Sequence, residues 1–326
     1  MSRGEQSMVP EPEFESYYGK PILKQPTWKT PDVPLYLFLG GMAGGSALLA
    51  EGAALSGRRE LEKVARLAAA SGAAAGTVAL VHDLGRPERF LNMLRVLKVT
   101  SPLSVGSFIL APFASFASAA AASQVTGLLP RLGRLAGLGA AAFGPPLATY
   151  TAALVTNTAV PAWHEAYREM PFLFAGSGAQ AAGGVAMVFV GTDQAAPARR
   201  MALAGAAVDL VAAEMITKKG LVTEPYRIGM PGRLMKAARN ATIGATALNV
   251  VAGRRSRLLA ALSGLTYIGA SLATRFGVFE AGRASARDPK YVVIPQRERL
   301  AAKQATRQSE EDRGGTPSAG KHVAGR

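Results

Sequence analysis

Runs of about twenty apolar residues recur along this chain, and no other feature restricts its fold so tightly. A bilayer's hydrocarbon core is ~30 Å thick and an α-helix rises ~1.5 Å per residue, so ~20 residues cross it. The stretch PLYLFLGGMAGGSALLAEGAALSG at 34–57 is such a run. So are 64–84, 103–126, 135–160, 170–191, 201–217 and 257–279, while NATIGATALNVVAG at 240–253 is a shorter and more polar eighth. Charged residues gather in short islands between the runs, and soluble buried helices of this length would not recur so regularly. The expected fold is therefore all-α: a polytopic membrane helix bundle of about eight transmembrane helices over 34–280. An extended, Pro-rich lead at 1–33 precedes it. The basic and polar tail at 281–326 cannot bury much apolar surface and is expected to be mostly disordered. His322, in that tail, is expected to have no role.

Composition narrows the function classes. The formal net charge is +15, but the basic residues flank the spans and fill the tail, where membrane proteins place them, so nucleic acid is not expected as a partner. There is no cysteine, which excludes disulfides and thiolate-held iron–sulfur clusters or zinc in this chain. The N-terminal residues lack the charged-then-apolar signature of a cleaved signal peptide, so the first span is expected to drive insertion. Small residues four apart, such as Gly40 and Gly44, Gly41 and Gly45, and Gly72 and Gly76, would let helix backbones approach closely in lipid. About half of such pairs are expected by chance in so Ala- and Gly-rich a sequence.

Parity places the loops. With eight spans, the N-terminus, the loops 85–102, 159–169 and 218–239, and the C-terminus share one side, called here the lead side. The far side receives only tight turns at 58–63, 127–134, 192–200 and 254–256. Those turns are dense in Arg and Lys, and the positive-inside rule applies best to short loops. The expectation is a multi-pass protein of the cell membrane with both termini on one side, leaning to the extracytoplasmic.

The second run ends in a cluster of ionisable groups, HDLGRPERFLNML at 82–94. Gly85 can take the left-handed conformation after a helix and Pro87 cannot continue it. Phe90, Leu91, Leu94 and Leu97 would then share one face of a short interfacial helix. An ionisable pair such as His82 and Asp83 at the end of a span is costly unless solvated or paired, and histidine exchanges protons near neutral pH. Deeper in the runs lie Glu51, Asp209, Glu214 and Arg275. These are candidates for a proton path, or for static pairing, of which Glu214 with Arg275 is the expected case.

The stretch HDLGRPERFLNML resembles the hallmark that follows the second span in the NrfD-type family of polysulfide-reductase-like membrane subunits. PLYLFLGGMAGGSALLA resembles that family's Gly-rich first span. PAWHEAYREMPFLFAGSGAQAAGG, at 161–184, resembles its loop and fifth span, and the resemblance covers roughly residues 18 to 280. It implies a quinone-reactive subunit that exchanges electrons between quinone, here expected to be menaquinone, and an iron–sulfur partner. That partner would serve a molybdopterin-type catalytic subunit, with docking on the lead side. It also implies no haem in this chain and no complete activity for the chain alone.

Quinol oxidation releases two electrons and two protons, so a site needs a proton acceptor and hydrogen-bond partners for both oxygens. His82 is the expected acceptor, with Asp83 orienting or relaying. Tyr36, Arg86, Asn157, Trp163 and His164 are the candidates for binding the quinone. Two other classes remain open at this point: a secondary transporter with buried carboxylates, and a redox-inert membrane anchor for peripheral subunits.

Overall fold

The computed structural model describes residues 22–86, 88–253 and 255–314. Among them every regular element is a helix, with no strand. In chain order the helices are α1 (Asp32–Leu55), α2 (Arg59–Asp83), α3 (Glu88–Asn92), α4 (Pro102–Thr126), α5 (Pro130–Thr156), α6 (Pro161–Glu165), α7 (Met170–Phe189), α8 (Ala196–Thr217), α9 (Gly229–Ala252), α10 (Arg257–Arg287) and α11 (Lys290–Gly314). A single 3-10 stretch, Leu221–Tyr226, links α8 to α9. Five of these helices (α1, α2, α4, α5 and α7) are long and apolar enough to cross a bilayer by length and composition alone. Helices α8, α9 and α10 are as long but carry more charge, which is why their runs are weaker in the sequence.

Local chemistry sets the helix ends. Ser101 caps α4 with Pro102 at its first position, and Gly127, at φ 72°, ends it in the left-handed region. Gly85 ends α2 in the same way, with φ 68°, as its place after the cluster leads one to expect. Pro87 and Leu91 as a packing residue lie outside what the structure describes. The interfacial helix expected after Gly85 is shorter than its apolar spacing suggests, because α3 stops at Asn92. The chain beyond is drawn into the cap of α4. Ser104 Oγ accepts from the Lys98 amide at 2.9 Å and donates to the Val96 carbonyl at 3.2 Å. Leu97 and Val96 are left exposed, and among the described side chains of this segment Phe90 packs against the core.

Several helices also run past their apolar stretches. α2 begins at Arg59, α8 at Ala196 and α9 at Gly229, so much of the expected loop 218–239 is helix. Within the tail, α10 continues to Arg287, and Lys290–Gly314 forms α11, with exposed side chains over 296–308. His322 lies outside the described residues.

Consecutive helices pair as antiparallel hairpins, α1 with α2, α4 with α5, α7 with α8 and α9 with α10. α1 is the axis of the bundle, packed on α2, α5, α7 and α10 and buried along most of its length. Close backbone approach makes this possible. A Cβ on Gly44 would overlap the carbonyl of Gly144 on α5, and one on Gly178 of α7 would lie 2.8 Å from the carbonyl oxygen of Gly41. Gly40 has no neighbour within 4 Å of where a Cβ would stand, so its place in a small-residue pair is incidental.

Candidate functional site

At one end of the bundle the lead, α6, the 3-10 stretch and α10 meet around Trp163. Its indole is fully buried, donates Nε1–H to the Val278 carbonyl at 2.8 Å, and stacks on Trp28 of the lead at 5.6 Å. The Ala162 amide donates to Ser285 Oγ of α10, and Tyr226 donates its hydroxyl to the Ala162 carbonyl. Trp163 is thus the peg that fastens α6, α10 and the lead together.

The lead also closes on α2 and α10. The Lys29 amide donates to Asp83 Oδ1 at 2.9 Å, and Thr30 Oγ1 donates to Glu280 while accepting from Arg283. Asp83 is therefore a clamp for the lead. The partner of His82 is a residue the spacing of the sequence did not single out: its Nδ1 lies 2.7 Å from Oδ2 of Asp32, in the first turn of α1. A carboxylate only accepts, so Nδ1 carries the hydrogen and Nε2 is left as the basic nitrogen. The imidazole is 75% exposed and the carboxylate 13%. His82 lines an open groove of about 510 Å3 with Lys29, Thr77, Val78, Val81 and Gly85. The wall of that groove is mostly apolar.

The remaining candidates divide. Tyr36 is buried, its ring next to Gly76 of α2. Arg86 is exposed. Asn157 is exposed at the end of α5, and His164 sits nearby, its Nδ1 3.2 Å from the Thr156 carbonyl. A second groove of about 360 Å3 runs there, between Leu23–Trp28 and Thr158–Val160. Among the described residues no contact joins His82 to Asn157, Trp163 or His164. The lead lines two grooves, with Lys29 in the one beside His82 and Leu23–Trp28 in the other.

The buried charges are arranged differently from the expected pairing. Glu214 does not meet Arg275. It is half exposed and reaches Lys218 at 3.2 Å and Arg239 of α9 at 3.8 Å. Arg275 is fully buried, donates Nη2–H to the Phe174 carbonyl at 2.7 Å, and lies 3.7 Å over the Phe174 ring. Gly41 leaves the room its guanidinium occupies. Asp209 is the other charge buried in this part of the bundle, 3% exposed, with no hydrogen-bond partner for Oδ1. Residues five apart on a helix point about 140° from each other, so with Asp209 buried Glu214 is turned away from it, toward α9. At the far end, Glu51 is held by Arg66 at 3.2 Å and Arg134 at 3.7 Å, and Arg66 also binds Glu62 and Gln124. Glu51 is the centre of an ion network joining α1, α2 and α5.

One further cluster fastens α11. Lys290 Nζ lies 2.8 Å from Glu224 Oε2, and the Tyr291 hydroxyl donates to the same oxygen at 2.9 Å. The hydrogen bond from Lys290, and then that from Tyr291, holds the Glu224 carboxyl below its ordinary value. The bond to Glu224 raises Lys290, and burial pushes Tyr291 up to about 12. The lowered carboxyl adds stability above the ordinary carboxylate range, and that is lost as pH falls through its lowered value. The raised lysine and tyrosine add stability that is lost only as pH rises through theirs. The clasp should therefore hold from the ordinary carboxylate range up to about pH 10 and open only as pH falls through the lowered value of Glu224. A fluorophore on a cysteine introduced at Gln304, in a chain with no other cysteine, should gain mobility below that point. A Glu224→Gln chain should be mobile at every pH.

Among the described residues no group of three or more His, Cys, Asp or Glu side chains could hold a metal ion. No curated protein matches the sequence. The sequence model for polysulphide reductase, NrfD, matches residues 23–217, from the lead to the end of α8 and more than half of the chain. This chain belongs to the NrfD family of membrane proteins.

Proposed function

We propose that the chain is the quinone-reactive membrane subunit of a multi-subunit oxidoreductase, crossing the bilayer about eight times with both termini on one side. It passes electrons between quinol, menaquinone in the first instance, and an iron–sulfur subunit seated on the lead side. That subunit in turn serves a molybdopterin-type catalytic subunit. The observation that carries this reading is the 2.7 Å contact of His82 with Asp32 at the rim of an apolar groove. A volume of about 510 Å3 is in the range of small-ligand sites. Asp32 fixes the imidazole tautomer so that Nε2 takes a proton from the quinol hydroxyl and returns it toward water. The 75% exposure of the imidazole supports that return. Asp83 holds the lead over the groove, and Val78 and Val81 offer the apolar wall a quinone ring needs. The electrons leave toward the lead side, where Trp28 and the loops supply a docking surface.

Purification from native membranes tests this reading. Co-purifying iron–sulfur and catalytic subunits, together with reduction of the cluster on adding a menaquinol analogue, are the expected results. Partners that bind with no response to quinol would leave a redox-inert anchor.

Asp209 is the candidate for a proton-carrying group behind the site. Its unpartnered carboxylate oxygen faces the interior shared with Arg275, which reaches α1 at Gly41, five residues beyond Tyr36. Asp209→Asn keeps the size and removes the titration. The expected result is a loss of quinol-linked proton uptake with the assembled complex intact. Unchanged proton uptake and unchanged quinol turnover would remove Asp209 from the path.

A further inference from the structure

Helices α8 and α9 are neighbours in the chain but do not form a hairpin: α8 packs on α7, and α9 on α10. Between them two adjoining grooves, of about 390 and 450 Å3, share Leu210, Glu214, Lys218 and Arg239. The rim is cationic. Lys218, Arg227, Lys236 and Arg239 surround the single carboxylate of Glu214, which already accepts Lys218 and approaches Arg239. Below the rim the wall is apolar and faces outward, with Val211 61%, Met215 52% and Ile243 48% exposed. A positive rim above an outward apolar wall, at the end of a membrane helix pair, matches a phosphate with acyl chains attached.

We propose that this cleft holds one anionic phospholipid. Its phosphate lies among Lys218, Lys236 and Arg239, and its acyl chains lie along Val211, Met215 and Ile243. The site is separate from the groove beside His82, and its occupant is a lipid whether or not the chain reacts with quinone. Charge complementarity selects that occupant, because the rim holds four cations to the one carboxylate of Glu214, and a quinone has no charge to offer. The lipid fills a gap that helix packing leaves open, and so wedges the α7–α8 pair against the α9–α10 pair.

Native mass spectrometry tests the site. The full chain, purified from membranes with any subunits that stay bound, is stripped of lipid and offered equal amounts of phosphatidylglycerol and phosphatidylcholine with the same chains. Phosphatidylglycerol should be retained at least ~20-fold over phosphatidylcholine, the scale of two basic side chains at a membrane surface. The pair Lys236→Gln and Arg239→Gln should lower phosphatidylglycerol retention ~10-fold or more and leave phosphatidylcholine retention alone. The pair Lys303→Gln and Arg307→Gln on α11 should change neither. Should the first pair fail to fold, Lys218→Gln with Arg227→Gln takes its place with the same expectations. Equal retention of the two lipids, phosphatidylglycerol retention that survives loss of the rim cations, or displacement of the lipid by a soluble quinone would each overturn the proposal.

Discussion

His82→Ala should lower quinol-driven electron delivery to the iron–sulfur partner by at least ~100-fold, the lower end of what a positioned acid–base group contributes. The assembled complex should remain. The imidazole is largely exposed, and its one hydrogen bond is to Asp32. Removing it therefore opens no core cavity and leaves the Asp83 clamp on Lys29 in place. Asp32→Asn gives the companion result. An amide still fits the first turn of α1 but cannot favour the same imidazole tautomer as firmly, so turnover should fall by a smaller factor, and Asp32→Glu should restore part of it. The readout is cluster reduction by quinol, with subunit stoichiometry as the control. Full turnover in a His82→Ala complex would mean that another group takes the proton.

Gly44→Ala should destabilise the bundle by ~2 kcal/mol or more, while Gly40→Ala should be neutral or slightly stabilising. The same methyl group is added to the same helix one turn apart, so helix propensity favours both changes alike. Packing separates them. At position 44 the new Cβ would overlap the backbone carbonyl of Gly144, and backbone cannot swing aside as a side chain can. At position 40 it would meet nothing within 4 Å. Because α1 packs on four other helices, forcing it from α5 disturbs the whole bundle. Denaturant unfolding of the detergent-solubilised chain measures both variants. Equal midpoints would show that α1 and α5 are not in close backbone contact.

These two predictions also show what the sequence could and could not convey. Apolar length is a one-dimensional signal, so α1, α2, α4, α5 and α7 are found at their expected places. Helix ends are less visible where a helix continues into water. The first turns of α9 carry Arg233 and Lys236 and read as loop, although the backbone hydrogen bonds continue. Depth is likewise legible, because each residue advances a helix by a fixed rise. Direction around the axis is not, and that is why Glu214 and Arg275 were expected to meet when Glu214 faces α9 and Arg275 faces α7.

The same gap explains the candidate site. His82, Asp83, Tyr36 and Asn157 all lie toward one end, yet the lining of the groove beside His82 includes neither Tyr36 nor Asn157. Asp32 was hidden because its pairing spans fifty residues of sequence. An acidic residue two positions before the first apolar run was the signal available. The partners of Glu51 were not legible either, because its counter-charges come from two other helices.

The central claim is that quinone enters the groove between the lead and α2. Photolabelling of the native complex with an azido-quinone, followed by peptide mapping, tests it most directly. The expected label falls between Thr77 and Gly85 and disappears when excess unlabelled quinone competes. A competable label confined to the α8–α9 cleft or to the groove near Asn157, with none on the end of α2, would contradict it.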